Sequence, residues 1–274
     1  MRGVVMCDLD GTIYFAERGF APGLTETFQM INSVGVITTI NTARHARTGR
    51  VLAATLGLQH PYACLTGGVI FQPPKWQEDD LDIPSFPQPD EILQGFRMSK
   101  KLVTEVLQLA ETMGLGGRVF YDRDVYLYKK QELYVKWPED LEYESLDQVA
   151  DGALQMFITG VDHELGDKVA ARLKVMTDEC SFYLFHHQDG FEIAVNPKGV
   201  TKAKLVDFYM EKMKIPRNAI MAVGDSPGDA PMIEKAGIGV ATALAPKEVK
   251  EVADVVLDTP SLDAVPKFLR SYYG

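Results

Sequence analysis

Apolar residues in this chain fall into short runs separated by amphipathic stretches, and the two alternate regularly at both ends of the sequence. Val4 to Cys7 is an apolar run too short for a helix and suits a buried strand. Pro22 to Val34 then reads as a helix, Val36 to Asn41 as a second strand, Thr48 to Leu56 as a second helix, and Tyr62 to Leu65 as a short strand closed by Thr66-Gly67-Gly68. The alternation resumes with a strand over Phe191 to Val195, a helix over Thr201 to Met213 and a buried strand over Ala219 to Val223. A short helix to Ala236, a strand over Ile238 to Ala241, a helix over Pro246 to Val252, a strand over Val255 to Leu257 and a terminal helix complete the chain. Strands and helices in turn predict an α/β fold with a parallel sheet.

The middle of the chain breaks this pattern. Residues 72–90 hold Pro73, Pro74, Pro84, Pro87 and Pro89 among several acids, the composition of a linker or an irregular surface passage. Beyond it come a helical segment within Asp90 to Met113, strand-like runs over Arg118 to Lys130 (a candidate hairpin) and Leu133 to Trp137, and another over Ala153 to Thr159. A helix over Asp162 to Thr177 and a strand over Ser181 to His187 follow. Several strands with few helices suggest a smaller α+β module rather than more of the same sheet. The expected architecture is a Rossmann-like parallel-sheet core in two pieces, residues 1–80 and 188–274, interrupted by an inserted α+β domain over 81–187. At 274 residues the chain is long enough for both.

Composition narrows the partners. A formal net charge of −10 argues against nucleic acid or an anionic membrane as the main partner. A small phosphorylated substrate stays open, because a local metal ion reverses the sign of the field. Cys7, Cys64 and Cys180 are scattered without zinc spacing and read as buried thiols of a reducing compartment. No apolar stretch approaches a membrane span and the N-terminus lacks a signal-peptide pattern, so a cytoplasmic setting is expected.

The candidate chemistry sits at strand ends. The first strand runs into Asp8-Leu9-Asp10-Gly11-Thr12, where alternation would send both carboxylates the same way, with Leu9 opposite. Carboxylates that close are costly to desolvate without a cation or proton between them, and Mg²⁺ suits such a pair. A polar strand end followed by an Asp-Gly turn is the plainer alternative. Two more strands end in Asn41-Thr42-Ala43-Arg44 and Gly224-Asp225-Ser226-Pro227-Gly228-Asp229. Ligands of open parallel sheets bind beyond the carboxyl ends of the strands. Convergence of these ends would gather three or four acids, a hydroxyl and an arginine around one point.

These segments resemble the haloacid dehalogenase-like hydrolases, and within them the Cof-type phosphatases. Asp8-Leu9-Asp10-Gly11-Thr12 matches the DxDGT signature. Asn41-Thr42-Ala43-Arg44 is similar to the Thr-Gly-Arg of the second motif, Gly199-Val200-Thr201-Lys202 to the Gly-Val-Ser-Lys helix start, and Gly224 to Asp229 to the Gly-Asp-Gly-x-Asn-Asp run. Thr66-Gly67-Gly68-Val69-Ile70 is similar to the Asn-Gly-Ala-x-Ile segment. The insert resembles a type 2 cap only in size and position. Ala43, Gly228 and the stretch Ala241 to Pro246 depart from the family pattern around the phosphate and metal rim.

The resemblance implies a Mg²⁺-dependent phosphatase acting on a small phosphorylated metabolite, a sugar phosphate being one candidate, through an aspartyl-phosphate. It implies Asp8 as nucleophile and metal ligand, Asp225 as a second carboxylate ligand, and Asp10 as a ligand through its backbone carbonyl whose side chain serves as acid and base. Asp229 would be a supporting acid or additional ligand, Thr42 a donor to the phosphoryl oxygens, and Lys202 the cation holding phosphate and Asp8 together, with Lys198 as its competitor. Arg44 would support the substrate or a neighbouring acid, unless it makes a plain surface ion pair; Lys204 reads as a solvated helix residue. Adjacent strand residues face opposite ways, which argues against His186 and His187 as joint metal ligands. Trp137 and the tyrosines from Tyr121 to Tyr143 either line a substrate cleft or pack the module's sheet. A phosphomutase, and a non-catalytic phospholigand-binding protein related to receiver domains, are the competing readings. Oligomeric state is not legible.

Overall fold

The computed structural model describes residues 3–73, 91–122, 124–129, 140–176 and 178–274. Most of the proline-rich passage and the run over Leu133 to Trp137, Trp137 included, lie outside the described residues. The chain divides into two compact units, one made of Met1–Gln94 with Thr201–Gly274 and the other of Gly95–Val200.

In chain order the elements are β1 (Gly3–Cys7), β2 (Tyr14–Phe15), β3 (Gly19–Phe20), α1 (Leu24–Ser33), β4 (Val36–Ile40), α2 (Ala46–Thr55), β5 (Tyr62–Cys64), β6 (Val69–Phe71) and β7 (Ile92–Gly95). The second unit carries α3 (Lys100–Thr112), β8 (Gly117–Phe120), β9 (Val125–Tyr128), β10 (Leu141–Glu142), β11 (Gln155–Gly160), α4 (His163–Leu173), β12 (Cys180–His187) and β13 (Gly190–Pro197). The chain then returns with α5 (Ala203–Glu211), β14 (Ile220–Gly224), α6 (Ala230–Lys235), β15 (Ile238–Ala241), α7 (Lys247–Glu251), β16 (Val255–Val256) and α8 (Ala264–Tyr273).

The first unit is built on a sheet of order β16-β15-β14-β1-β4, parallel throughout. Its central strands are buried at every position, which is why they read as unbroken apolar runs. Val4, Met6, Ile220 and Ala222 share one core with Leu205, Val206 and Tyr209 of α5 and Met232 and Ile233 of α6. Register fixes where the chemistry emerges. Cys7 lies opposite Val223 on one side and Ile40 on the other, so Asp8, Gly224 and Asn41 leave the sheet at the same end.

The second unit holds a sheet of order β10-β9-β8-β11-β13-β12, antiparallel except for the β9–β10 pair. Leu102, Val103, Val106 and Leu107 of α3 and Val169 and Leu173 of α4 share a core with Val119, Met156, Ile158, Phe191 and Ile193 of the sheet. The hairpin expected within Arg118 to Lys130 forms as β8 and β9. The strand over Phe191 to Val195 also forms, but it corrects the expected return to the core at residue 188. β13 pairs with β11 and, over its whole length, with β12, so the first unit resumes only at Thr201. The Gln188-Asp189 connection leaves hairpin closure on β12 as the nearest option, and an apolar run alone does not say which sheet it joins. No helix among the described residues is long and apolar enough to cross a membrane, and all three cysteines are buried and free.

Candidate active site

The chain turns back sharply as it leaves β1. The Leu9 carbonyl accepts the N–H groups of Thr12, Ile13 and Tyr14 at 3.2, 3.0 and 2.8 Å. Strand alternation therefore stops at Cys7, and the expected common direction of Asp8 and Asp10 is not found. The Asp8 N–H extends the β1–β14 ladder by donating to the Val223 carbonyl at 2.9 Å, and the residue is 4% exposed. The Asp10 side chain is half exposed and faces a different partner.

Lys202, at the start of α5, is the centre of the buried cluster. Its Nζ donates to Asp8 Oδ1 at 2.5 Å and to Asp229 Oδ1 at 2.6 Å, with all three residues nearly sealed from solvent. Asp229 Oδ2 accepts from the Asp225 N–H, the Ser226 N–H and Ser226 Oγ at 3.1, 2.9 and 2.8 Å, which folds the loop after β14 around that carboxylate. Thr12 Oγ1 donates to Asp225 Oδ1 at 2.6 Å, tying the loop after β1 to the loop after β14. Gly11 makes this closure possible: its φ is +81° and a side chain there would run into the Asp225 carboxylate. Gly11→Ala is accordingly expected to lower stability by about 1 kcal/mol or more, read as a shift in the denaturant midpoint.

Three carboxylates share one ammonium here, so two negative charges stay uncompensated. Burial, followed by repulsion from Asp229, holds the Asp8 carboxyl well above the usual carboxylate range despite Lys202. Burial and the Asp229 charge push Asp225 up to about 6, against the opposing Thr12 hydrogen bond. Burial works against the Lys202 charge, but Asp229 and Asp8 outweigh it and raise the ammonium above its ordinary value. Asp8, Asp225 and Asp229 each offer a carboxylate oxygen, all within 4.8 Å of one another. An all-oxygen, anionic donor set with excess charge fits a hard divalent cation. Asp229 commits both oxygens to protein donors, whereas Asp8 and Asp225 each keep one uncommitted among the described residues.

Of the remaining candidates, Thr42 is fully buried at the end of β4, and its Oγ1 accepts the Arg44 N–H at 3.1 Å, leaving the hydroxyl proton available. Leu65 and Thr66 adopt left-handed backbone angles and donate their N–H groups to the Arg44 and Thr42 carbonyls, bracing this segment. Arg44 forms a two-pronged ion pair with Asp10, the neighbouring-acid alternative. Lys198 belongs to the second unit, where it is exposed and pairs with Asp178 at 3.3 Å. His186 engages His163 at 2.9 Å and Asp167 at 3.3 Å, and His187 is exposed. Tyr126 stacks on Tyr143 at 4.5 Å and Tyr121 bonds the Tyr143 hydroxyl at 2.9 Å, so these rings pack with one another in the second unit.

Sequence reasoning missed the supporting residues. Thr12 and Ser226 tie down Asp225 and Asp229, and Asn41 Nδ2 donates to the Lys202 carbonyl at 2.7 Å, fixing the start of α5 against the end of β4. Their signal was adjacency to the motif acids; the partners of Thr12 and Asn41 lie far away in sequence, whereas Ser226 bonds an acid three residues on.

A parallel sheet with a buried acid cluster at the carboxyl ends of its central strands is the arrangement of an α/β protein that binds its ligand at the strand ends. A family model of haloacid dehalogenase-like hydrolases matches residues 5–269, and the chain belongs to that family. It is 27% identical over 272 residues to the phosphoglycolate phosphatase of Methanopyrus kandleri, covering 98% of this chain and 97% of the relative. It is 24% identical over 287 residues to the pyridoxal phosphate phosphatase YbhA of Escherichia coli, covering 98% of each. The fold is similar to that of a solved sugar phosphatase of subclass IIB of the superfamily, with a TM-score of 0.79 at 19% identity and 98% of each chain covered.

Proposed function

We propose that this chain is a Mg²⁺-dependent phosphatase that hydrolyses a small phosphorylated metabolite through an aspartyl-phosphate on Asp8. The observation that carries this reading is the buried Asp8 carboxylate, which keeps one oxygen uncommitted while Lys202 holds the other at 2.5 Å. The uncommitted oxygen attacks phosphorus, the bond to the leaving oxygen breaks, and Asp10 delivers a proton to that oxygen. Asp10 then takes a proton from water, whose oxygen attacks phosphorus and expels the Asp8 carboxylate with release of phosphate. Thr42 donates a hydrogen bond from its hydroxyl to a phosphoryl oxygen and Lys202 balances the anionic charge.

Asp8 and Asp225 would hold Mg²⁺ through their carboxylates and Asp10 through its backbone carbonyl, with Asp229 as a supporting acid. When bound, the ion neutralises the phosphoryl oxygens as a carboxylate approaches them. The second unit acts in this reading as the cap that selects the substrate. The relatives named for phosphoglycolate and pyridoxal phosphate, and the structural neighbour named for sugar phosphates, support a small phosphomonoester as substrate.

The test is a phosphate-release screen of the purified chain over metabolite phosphates, without any bisphosphate activator. Release that requires Mg²⁺ and stops on chelation is expected. A panel in which no ester yields phosphate above the protein-free control would overturn the reading.

A further inference from the structure

Asp10 is held more firmly than its exposure suggests. Arg44 Nε donates to Asp10 Oδ2 at 2.7 Å and Arg44 Nη2 to Oδ1 at 2.6 Å, a fork that fixes the plane of the carboxylate. The fork is itself braced. The Arg44 N–H is anchored on Thr42 Oγ1 and its carbonyl on the Leu65 N–H, while the guanidinium carbon lies 4.7 Å from the centre of the Tyr14 ring. Tyr14 is set by the same turn that presents Asp10: its N–H donates to the Leu9 carbonyl at 2.8 Å, and its carbonyl accepts the Gly11 N–H at 3.1 Å. The Tyr14 ring also meets Phe20 edge-on, with the ring centres 5.2 Å apart.

A surface ion pair is worth little to stability, so a partly exposed pair with this many constraints calls for another account. Orientation supplies it. A carboxyl group has about four lone-pair positions, and the fork uses two, leaving a position free to carry the proton that Asp10 gives to the leaving oxygen and later takes from water. A carboxylate free to swing loses the near-attack geometry on which proton transfer depends. We propose that Arg44, braced by Tyr14, is the positioning residue that orients Asp10 for proton transfer. This inference rests on the phosphatase reading above.

Leaving-group basicity separates this role from substrate binding. p-Nitrophenolate departs without a proton, whereas phenolate from phenyl phosphate needs one. With Mg²⁺ present, Arg44→Gln is expected to lower kcat on phenyl phosphate about tenfold more than on p-nitrophenyl phosphate, with KM on both within about twofold of wild type. Asp10→Asn should show the same bias more strongly. Arg44→Lys, which reaches one oxygen rather than two, should fall between Arg44→Gln and wild type and guards against a simple folding defect. Tyr14→Leu should give a smaller bias in the same direction. Arg44→Gln that raises KM on both esters at unchanged kcat would make Arg44 a phosphate ligand and overturn the inference. So would an equal loss on both esters, or no loss on either. In each of those cases the bias in Asp10→Asn leaves the phosphatase reading standing. If wild-type protein cleaves neither ester, or Asp10→Asn shows no bias, the roles given to Asp8 and Asp10 fall and the inference falls with them.

Discussion

Asp8→Asn is expected to abolish phosphate release, with kcat falling by about 10⁴-fold or more, while the fold persists. The amide cannot attack phosphorus, and the neighbouring acids have other roles in this reading: Asp229 has both oxygens committed to Lys202 and to the Ser226 loop, and Asp225 would give its uncommitted oxygen to Mg²⁺. The same substitution should raise the melting temperature of the Mg²⁺-free protein. It removes one of three carboxylates competing for a single ammonium, and burial and Asp229 both disfavour the charged form of Asp8. Activity and stability should thus move in opposite directions at one position. A phosphate-release assay beside a thermal melt in chelator checks both, and a variant retaining near wild-type release would put the nucleophile elsewhere.

Lys202→Met should have the opposite effect on stability and the same effect on turnover. It leaves Asp8 and Asp229 buried together without their shared cation, and breaking a buried pair in this way costs about 3–5 kcal/mol. Millimolar Mg²⁺ should restore part of that loss, because a cation held by the same acids relieves the same repulsion. Lys198→Met, at an exposed ion pair, should stay within about 0.5 kcal/mol of wild type. Denaturant melts of the two variants with and without Mg²⁺ provide the comparison. Equal stability of Lys202→Met and wild type in chelator would remove Lys202 from the centre of the site's electrostatics.

The sequence was most informative where one physical constraint acts alone. β1, β4 and β14 are covered on both faces, so their apolar runs announced buried parallel strands, and the acids at their ends marked the site. It was least informative where two placements cost the chain the same local energy. β13 has a strand's composition whichever sheet receives it, and only its pairing with β11 and β12 decides. Asp8 and Asp10 look equivalent one residue apart, yet the turn around the Leu9 carbonyl sends one to Lys202 and the other to Arg44. Thr12, Tyr14, Asn41 and Ser226 carried no signal of their own because their importance lies in partners that the fold supplies. The short β2–β3 and β10 segments are two residues each, below the length at which periodicity has meaning.

The interrupted first unit has a consequence for the order in which the molecule is made. β1 must wait for β14, and the Thr12–Asp225 and Lys202–Asp8 bonds span 213 and 194 residues of chain. Gly95–Val200 is continuous and its described strands pair among themselves, so it is free to close its own sheet while β1, paired with β4 on one side, still lacks β14 on the other. Long-range pairings of this kind carry the largest loop-closure cost and form late. On the ribosome, where the N-terminus emerges first, the apolar Val4-Val5-Met6-Cys7 strand therefore stays without its β14 neighbour until residues near 224 have been synthesised. The acid cluster cannot exist before Asp225 and Asp229 have been made, and the interval before it forms is when the nascent chain is most exposed to aggregation.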